Sequence, residues 1–244
     1  MKQTLDVINR MEADGIIGRY AIAGAVAAYN YIEPALTIDL DILVSIDTPA
    51  LEPAYSYLKK KGYDEHREEG IVIEGWPVQF LTVASQLNVE ALAEAGDVDI
   101  EMNKAEGSVK IRILRPEHIV ANALRVGGPQ DFTRVTQFLQ ENAVNLAALC
   151  VLLDRHKLKD AWQSFCKRVG LDDPETRWPP MTDPPKDVFP DISDILARKA
   201  EGRRMNAART FGEKIAMMEA LRERLEPFKR AREARQAKRK KSSE

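Results

Sequence analysis

The stretch AIAGAVAAYNYIEPALTIDLDILV, residues 21 to 44, constrains the fold more than any other part of the chain. Tyr20 to Ala23 reads as a short strand, Gly24 turns the chain into a compact helix from Ala25 to Tyr31, and Pro34 ends that helix. A second strand follows. From Ile38 to Val44 a period of two puts Ile38, Leu40, Ile42 and Val44 on one face, which suits a core. Asp39 and Asp41 then share the opposite face with Leu43. Two carboxylates roughly 7 Å apart along one strand repel, and burying either without compensation costs several kcal/mol. A cationic group is therefore expected beside them.

The rest of the first 115 residues is also mixed. Leu5, Ile8 and Met11 recur at helical spacing before a stop at Gly15. Thr48 and Pro49 suit the start of a helix running to Lys59, Lys60 and Lys61, with Gly62 as its stop. Ile71 to Glu74 and Val78 to Val83 read as strands flanking an interruption at Gly75, Trp76 and Pro77. Leu87 to Ala95 is helical, and Val109, Ile111 and Ile113 alternate with Lys110 and Arg112 as another strand. After Pro116 only helical periodicity remains, in EHIVANAL, DFTRVTQFLQ, VNLAALCVLL and DAWQSFCKRV. Residues 171–190 hold six of the thirteen prolines and read as a connector. Beyond it, 191–244 is a long helix-forming region whose end carries eight Lys and Arg between Phe228 and Lys241. The expected organisation is thus an α+β domain over 1–115, a helical domain over 116–170, a Pro-rich linker over 171–190, and a helical region with a basic tail.

Composition excludes several classes of function. Formal net charge is -2, so no global basicity announces a nucleic-acid binder. The two cysteines, Cys150 and Cys166, have no metal-ligand spacing and read as reduced, buried thiols. The N-terminal MKQTLDVINRMEADG has no apolar leader segment, and no run approaches 18 apolar residues; a cytoplasmic protein without a membrane partner is expected. His66, His118 and His156 are far apart in sequence and suggest neither a triad nor a zinc site.

An apolar-acid-apolar-acid-apolar run is common, so its context carries the functional reading. Here Ala23-Gly24-Ala25, a spacer, and Ile38-Asp39-Leu40-Asp41-Ile42 resemble the signature of the DNA polymerase beta-like nucleotidyltransferase superfamily. PVQFLT, LNVEALAEA and VKIRILRPEHIVANAL are similar to the hairpin strand, helix and linker of its abortive-infection toxin-like members, so the resemblance covers about residues 15 to 165. It implies an α+β nucleotidyltransferase fold, a small mixed sheet with helices, followed by an all-helical C-terminal region. It also implies a Mg²⁺ cofactor held by Asp39 and Asp41, and a nucleoside triphosphate substrate whose phosphates lie against the backbone of Gly24 and Ala25. The chemistry suits such residues, because Mg²⁺ prefers hard oxygen ligands and a triphosphate brings most of its own.

Two positions depart from the family pattern. A third carboxylate usually stands between apolar residues on the third strand, where this chain has Gln79; the missing acid would be Glu74, if the hairpin register differs, or a metal-bound water held by Gln79. An Arg or Lys followed by Lys-Asp usually opens a later helix, and in Gly127-Gly128-Pro129-Gln130-Asp131 the basic residue is replaced by Gln130, while Asp131 and Arg134 match. Two readings stand open. One is a Mg²⁺-dependent enzyme transferring a nucleotidyl group to an RNA or protein acceptor, in a toxin-antitoxin or phage-defence setting. The other is a catalytically degenerate module that binds ligand, or a protein partner through its C-terminal helices. Both expect Asp39 and Asp41 in one open cleft, with Ile38, Leu40 and Ile42 buried.

Overall fold

The computed structural model describes residues 1–46, 51–101, 107–170 and 193–241, with backbone alone in 193–196 and 229–241. The expected helix start at Thr48 and Pro49 and the connector over 171–190 lie outside the described residues.

Helix α1 (Lys2–Ala13) buries Leu5, Ile8 and Met11 and ends before Gly15, as its periodicity dictates. Strand β1 (Tyr20–Ile22) leads through Gly24 into α2 (Gly24–Ala28), shorter than the sequence suggests because the chain already turns at Tyr29 to Tyr31. Strand β2 (Leu40–Val44) starts two residues later than expected. Its parallel neighbour pairs first at Leu40, so Ile38 has no strand beside it and is exposed. Helix α3 (Glu52–Lys60) carries Lys59 and Lys60 in its last turn, where they suit the dipole, and Gly62 follows in the left-handed region. Strands β3 (His66–Arg67), β4 (Gly70–Ile73) and β5 (Trp76–Thr82) form a meander.

The interruption expected at Gly75 to Pro77 is only a two-residue turn, Glu74 and Gly75, both at positive φ. Trp76 and Pro77 belong to β5. Pro77 is tolerated because Val72, opposite it, donates its N–H away from β5 to Glu65, and the ladder with β2 begins only at Val78. Helix α4 (Gln86–Ala93), strand β6 (Gly96–Glu101) and strand β7 (Ser108–Ile113) complete the α+β part. Strand β6 consists of the acidic run GDVDIE, with Asp97, Asp99 and Glu101 exposed.

The seven strands form one mixed sheet in the order β3-β4-β5-β2-β1-β7-β6. Strand β2 pairs with β5 in parallel and with β1 in antiparallel, which places Asp41 near the sheet centre. Helix α1 straps the sheet: the Thr4 hydroxyl donates to Ile73 O of β4, and Arg112 of β7 forms a bidentate pair with Glu12.

From Pro116 the chain is helical in α5 (Pro116–Val126), α6 (Pro129–Gln140), α7 (Leu146–Arg155) and α8 (Lys159–Val169). Prolines stand in the first turn of α5 and α6, where a missing N–H costs nothing. Two further helices follow, α9 (Ser193–Ala207) and α10 (Phe211–Lys241). One apolar core runs through all of this, from Ile22 and Ile42 of the sheet to Val120 of α5, Phe138 of α6, Phe165 of α8 and Ile215 of α10. Trp76 and Trp162 are buried in it as packing residues. Among the described residues no helix is long and apolar enough to cross a membrane.

Candidate active site

Gly24 opens α2 at φ +59°, and its Cα lies so close to Asp41 that a Cβ there would fall 1.9 Å from Asp41 Oδ2. Only glycine tolerates both conditions. The turn and the second aspartate, separated in sequence, are thereby brought into contact.

Asp41 lines a cavity of about 470 Å³ between the strand ends of β2 and β5 and helices α4, α5 and α6. Leu43 and Leu81 form part of its apolar wall, while Asn88, Arg125, Asp131 and Arg134 supply polar groups. Asp131, in the first turn of α6, also caps that helix, with Gly128 N–H donating to Asp131 Oδ2 at 3.2 Å. The other oxygen, Asp131 Oδ1, accepts from Arg134 at 3.3 Å. Arg125 reaches across from α5 to α4, donating to Ser85 Oγ at 3.0 Å and to Asn88 Oδ1 at 3.4 Å, and to Asn122 Oδ1 at 3.0 Å. The cationic group expected beside the aspartates is Arg134.

Electrostatics single out Asp41. Its carboxyl is pushed up from the ordinary 3.8 to about 6, chiefly by burial and then by the charge of Asp39; Arg134 opposes the rise and Asp131 adds to it. Asp39 is close enough to exert that effect, yet it does not line the cavity. It stands just before β2, half-buried, with Oδ1 accepting the Thr37 hydroxyl at 2.7 Å. The single cleft expected to hold both carboxylates thus holds Asp41 alone, with Asp39 beside it.

Gln79 is the parallel register partner of Asp41, so the two side chains share one face of the sheet, and Gln79 is exposed. Glu74 cannot replace the absent acid. It sits in the β4–β5 turn, roughly 13 Å along the strand from the level of Gln79, and its carboxylate accepts the Tyr63 hydroxyl. Among the described residues no three His, Cys, Asp or Glu side chains converge tightly enough to hold a metal by themselves. The carboxylate that does reach the cavity with Asp41 is Asp131. Asp39, Asp41, Gln79 and Asp131 offer only oxygen donors, the set that suits a hard divalent cation when a ligand supplies the remaining oxygens.

Sequence reasoning missed a cluster elsewhere. Glu90 of α4 accepts from His156, just past the end of α7, at 2.7 Å, pairs with Arg155, and lies 4.0 Å from His118 of α5, so two of the three histidines do meet an acid. None of these residues lines the cavity. It also missed Arg125, Asn88 and Asn122, which no local pattern marks.

No family model and no curated protein matches the sequence. Among solved structures the chain is similar to an antigenic nucleotidyltransferase-like protein from Paracoccidioides brasiliensis, with 12% identity and a TM-score of 0.44 over 68% of this chain and 86% of that one.

Proposed function

We propose that this protein binds a nucleoside triphosphate with Mg²⁺ and transfers a nucleotidyl group to an RNA or protein hydroxyl. The observation that carries the reading is Asp41 lodged against the Gly24 turn, with Asp131 and Arg134 facing the same cavity. A carboxylate held above its ordinary range by burial and a neighbouring like charge is in want of a cation.

Asp41 and Asp39 would hold the ion, with the oxygen of Gln79 and the triphosphate's own oxygens completing its shell. Mg²⁺ supplies charge neutralisation along the phosphates and makes the attacking hydroxyl more acidic. Arg134, oriented by Asp131, stands where it can face departing phosphate charge, and Arg125 adds a second cation to the cavity wall. The Gly24 and Ala25 backbone lets phosphate approach closely, because no side chain intervenes at Gly24.

The second reading, a binding module without efficient transfer, is favoured by one feature. Gln79, on the same sheet face as Asp41, is an uncharged amide that can take no proton, and Glu74 is out of reach. By the same reading the protein acts in a toxin-antitoxin or phage-defence setting, and its C-terminal helices offer a surface to a protein partner.

Calorimetry with Mg²⁺ and a non-hydrolysable triphosphate tests both readings. Binding that depends on Mg²⁺ and is lost in Asp41→Asn is expected, with transfer to acceptor raised by Gln79→Glu. A wild-type protein that binds no triphosphate would overturn the enzyme and the module together.

A further inference from the structure

A second cavity, of about 180 Å³, lies on the other side of Arg134, between α2, the loop that follows it, and α6. Arg134 lines both cavities, and Ala25, next to the Gly24 turn, lines the second. Thr37, whose hydroxyl holds Asp39, lines it too. The two cavities therefore meet at the proposed phosphate site.

Their chemistry differs. Ala28, Tyr29, Ile32 and Leu36 form an apolar wall, and the Tyr29 hydroxyl is spent on Ala35 O at 2.7 Å. On the α6 side Gln130, Thr133 and Gln137 share one helical face with Arg134, being three and four residues apart. The Thr133 hydroxyl donates to Pro129 O, whereas the side-chain amides of Gln130 and Gln137 make no hydrogen bond among the described residues. Among the described residues the one charged lining group besides Arg134 is Glu33, which accepts the Asn206 amide at 2.8 Å.

We infer that this cavity takes the nucleobase of the bound triphosphate, an assignment that rests on the triphosphate reading above. Pockets for whole drug-sized ligands begin near about 300 Å³, so this one has room for a single ring system, whereas the larger cavity has room and charge for the phosphates. An apolar wall with two unspent amides matches a flat, uncharged heterocycle, because each amide offers donors and an acceptor to the base edge. Gln130 is then a specificity residue.

The test is calorimetry of the full chain with Mg²⁺, using inorganic tripolyphosphate and the α,β-methylene analogues of the four nucleoside triphosphates. The analogues are expected to bind about tenfold or more tightly than tripolyphosphate, and the double variant Gln130→Ala/Gln137→Ala should lose that advantage while keeping its affinity for tripolyphosphate. Equal affinity of the wild type for tripolyphosphate and analogues overturns the assignment but leaves the phosphate site standing. So does a double variant that weakens both probes equally, or neither; if transfer alone falls, the cavity belongs to the acceptor. Absence of binding by every probe removes the function reading itself and this inference with it.

Discussion

Asp41 is the residue at which stability and function pull apart. Its folded carboxyl titrates near 6 instead of 3.8, first because it is buried and then because Asp39 is near. The folded state therefore favours the protonated form. The contribution is full below about pH 4 and is lost as pH rises through about 6, since above that the buried group is ionised without a full partner. Asp41→Asn removes this titration, so the variant is expected to gain roughly 2–3 kcal/mol over the wild type at pH 7.5 and little at pH 4. Chemical denaturation at the two pH values measures it. A variant less stable than the wild type at pH 7.5 would show that ionised Asp41 already has a sufficient partner. The same aspartate was legible in the sequence because two acids interrupt a strand of alternating apolar residues. Arg125 was not, since its contacts with Ser85 and Asn88 join helices whose packing no local pattern encodes.

Among the elements, α10 reaches the surroundings of the site through a single buried contact at the end of α2. Lys214 is almost completely buried and donates from Nζ to the carbonyl of Tyr29 at 2.8 Å, just past the end of α2. Burial holds its ammonium below the ordinary range, while Glu141 works in the opposite direction. Farther along, Glu219 receives the amino group of Met1 at 2.6 Å and the Trp76 ring N–H at 3.3 Å, and Arg222 lies over that ring at 3.7 Å. Replacing Lys214 by Met keeps the aliphatic stem and removes both the bond and the buried charge; replacing it by Ala also leaves a hole. We expect Lys214→Ala to cost about 1–3 kcal/mol more than Lys214→Met, read from denaturation midpoints, and equal costs would show that the stem contributes no packing.

This contact also marks the limit of what the elements disclosed in advance. Helix α1 and strand β7 were legible because each shows its period over enough residues, and α4 announced itself through its apolar run. The length of α2 was not, because five helical residues carry no period. Nor was the exposure of Ile38, because whether an apolar residue extends a strand depends on where the neighbouring strand begins, here at the Leu40 to Val78 pair. Docking of α10 on Tyr29 is a contact 185 residues apart in sequence, and nothing near Lys214 declares it.

At the scale of the whole molecule, the cavity is assembled from parts that are distant in the chain but share one core. Leu43 of β2, Leu81 of β5, Ile119 of α5 and Arg134 of α6 all line it, and Ile42, Val120 and Phe138 belong to the same apolar cluster. A ligand seated there contacts the sheet and the helices together. If the two parts unfold as one unit, anything that binds only the folded state stabilises both by mass action. At a ligand concentration about a hundred times Kd that amounts to about 2.7 kcal/mol, which for a chain of this size raises Tm by roughly 5–10 °C. The expected calorimetric trace is a single transition that moves up intact when Mg²⁺ and a non-hydrolysable triphosphate are added together, and moves with neither alone. Asp41→Asn should melt in the same single step without responding to the pair. Two transitions of which only the earlier shifts would show instead that the ligand grips one part alone, and that the helices after Pro116 fold independently of the sheet that positions Asp41.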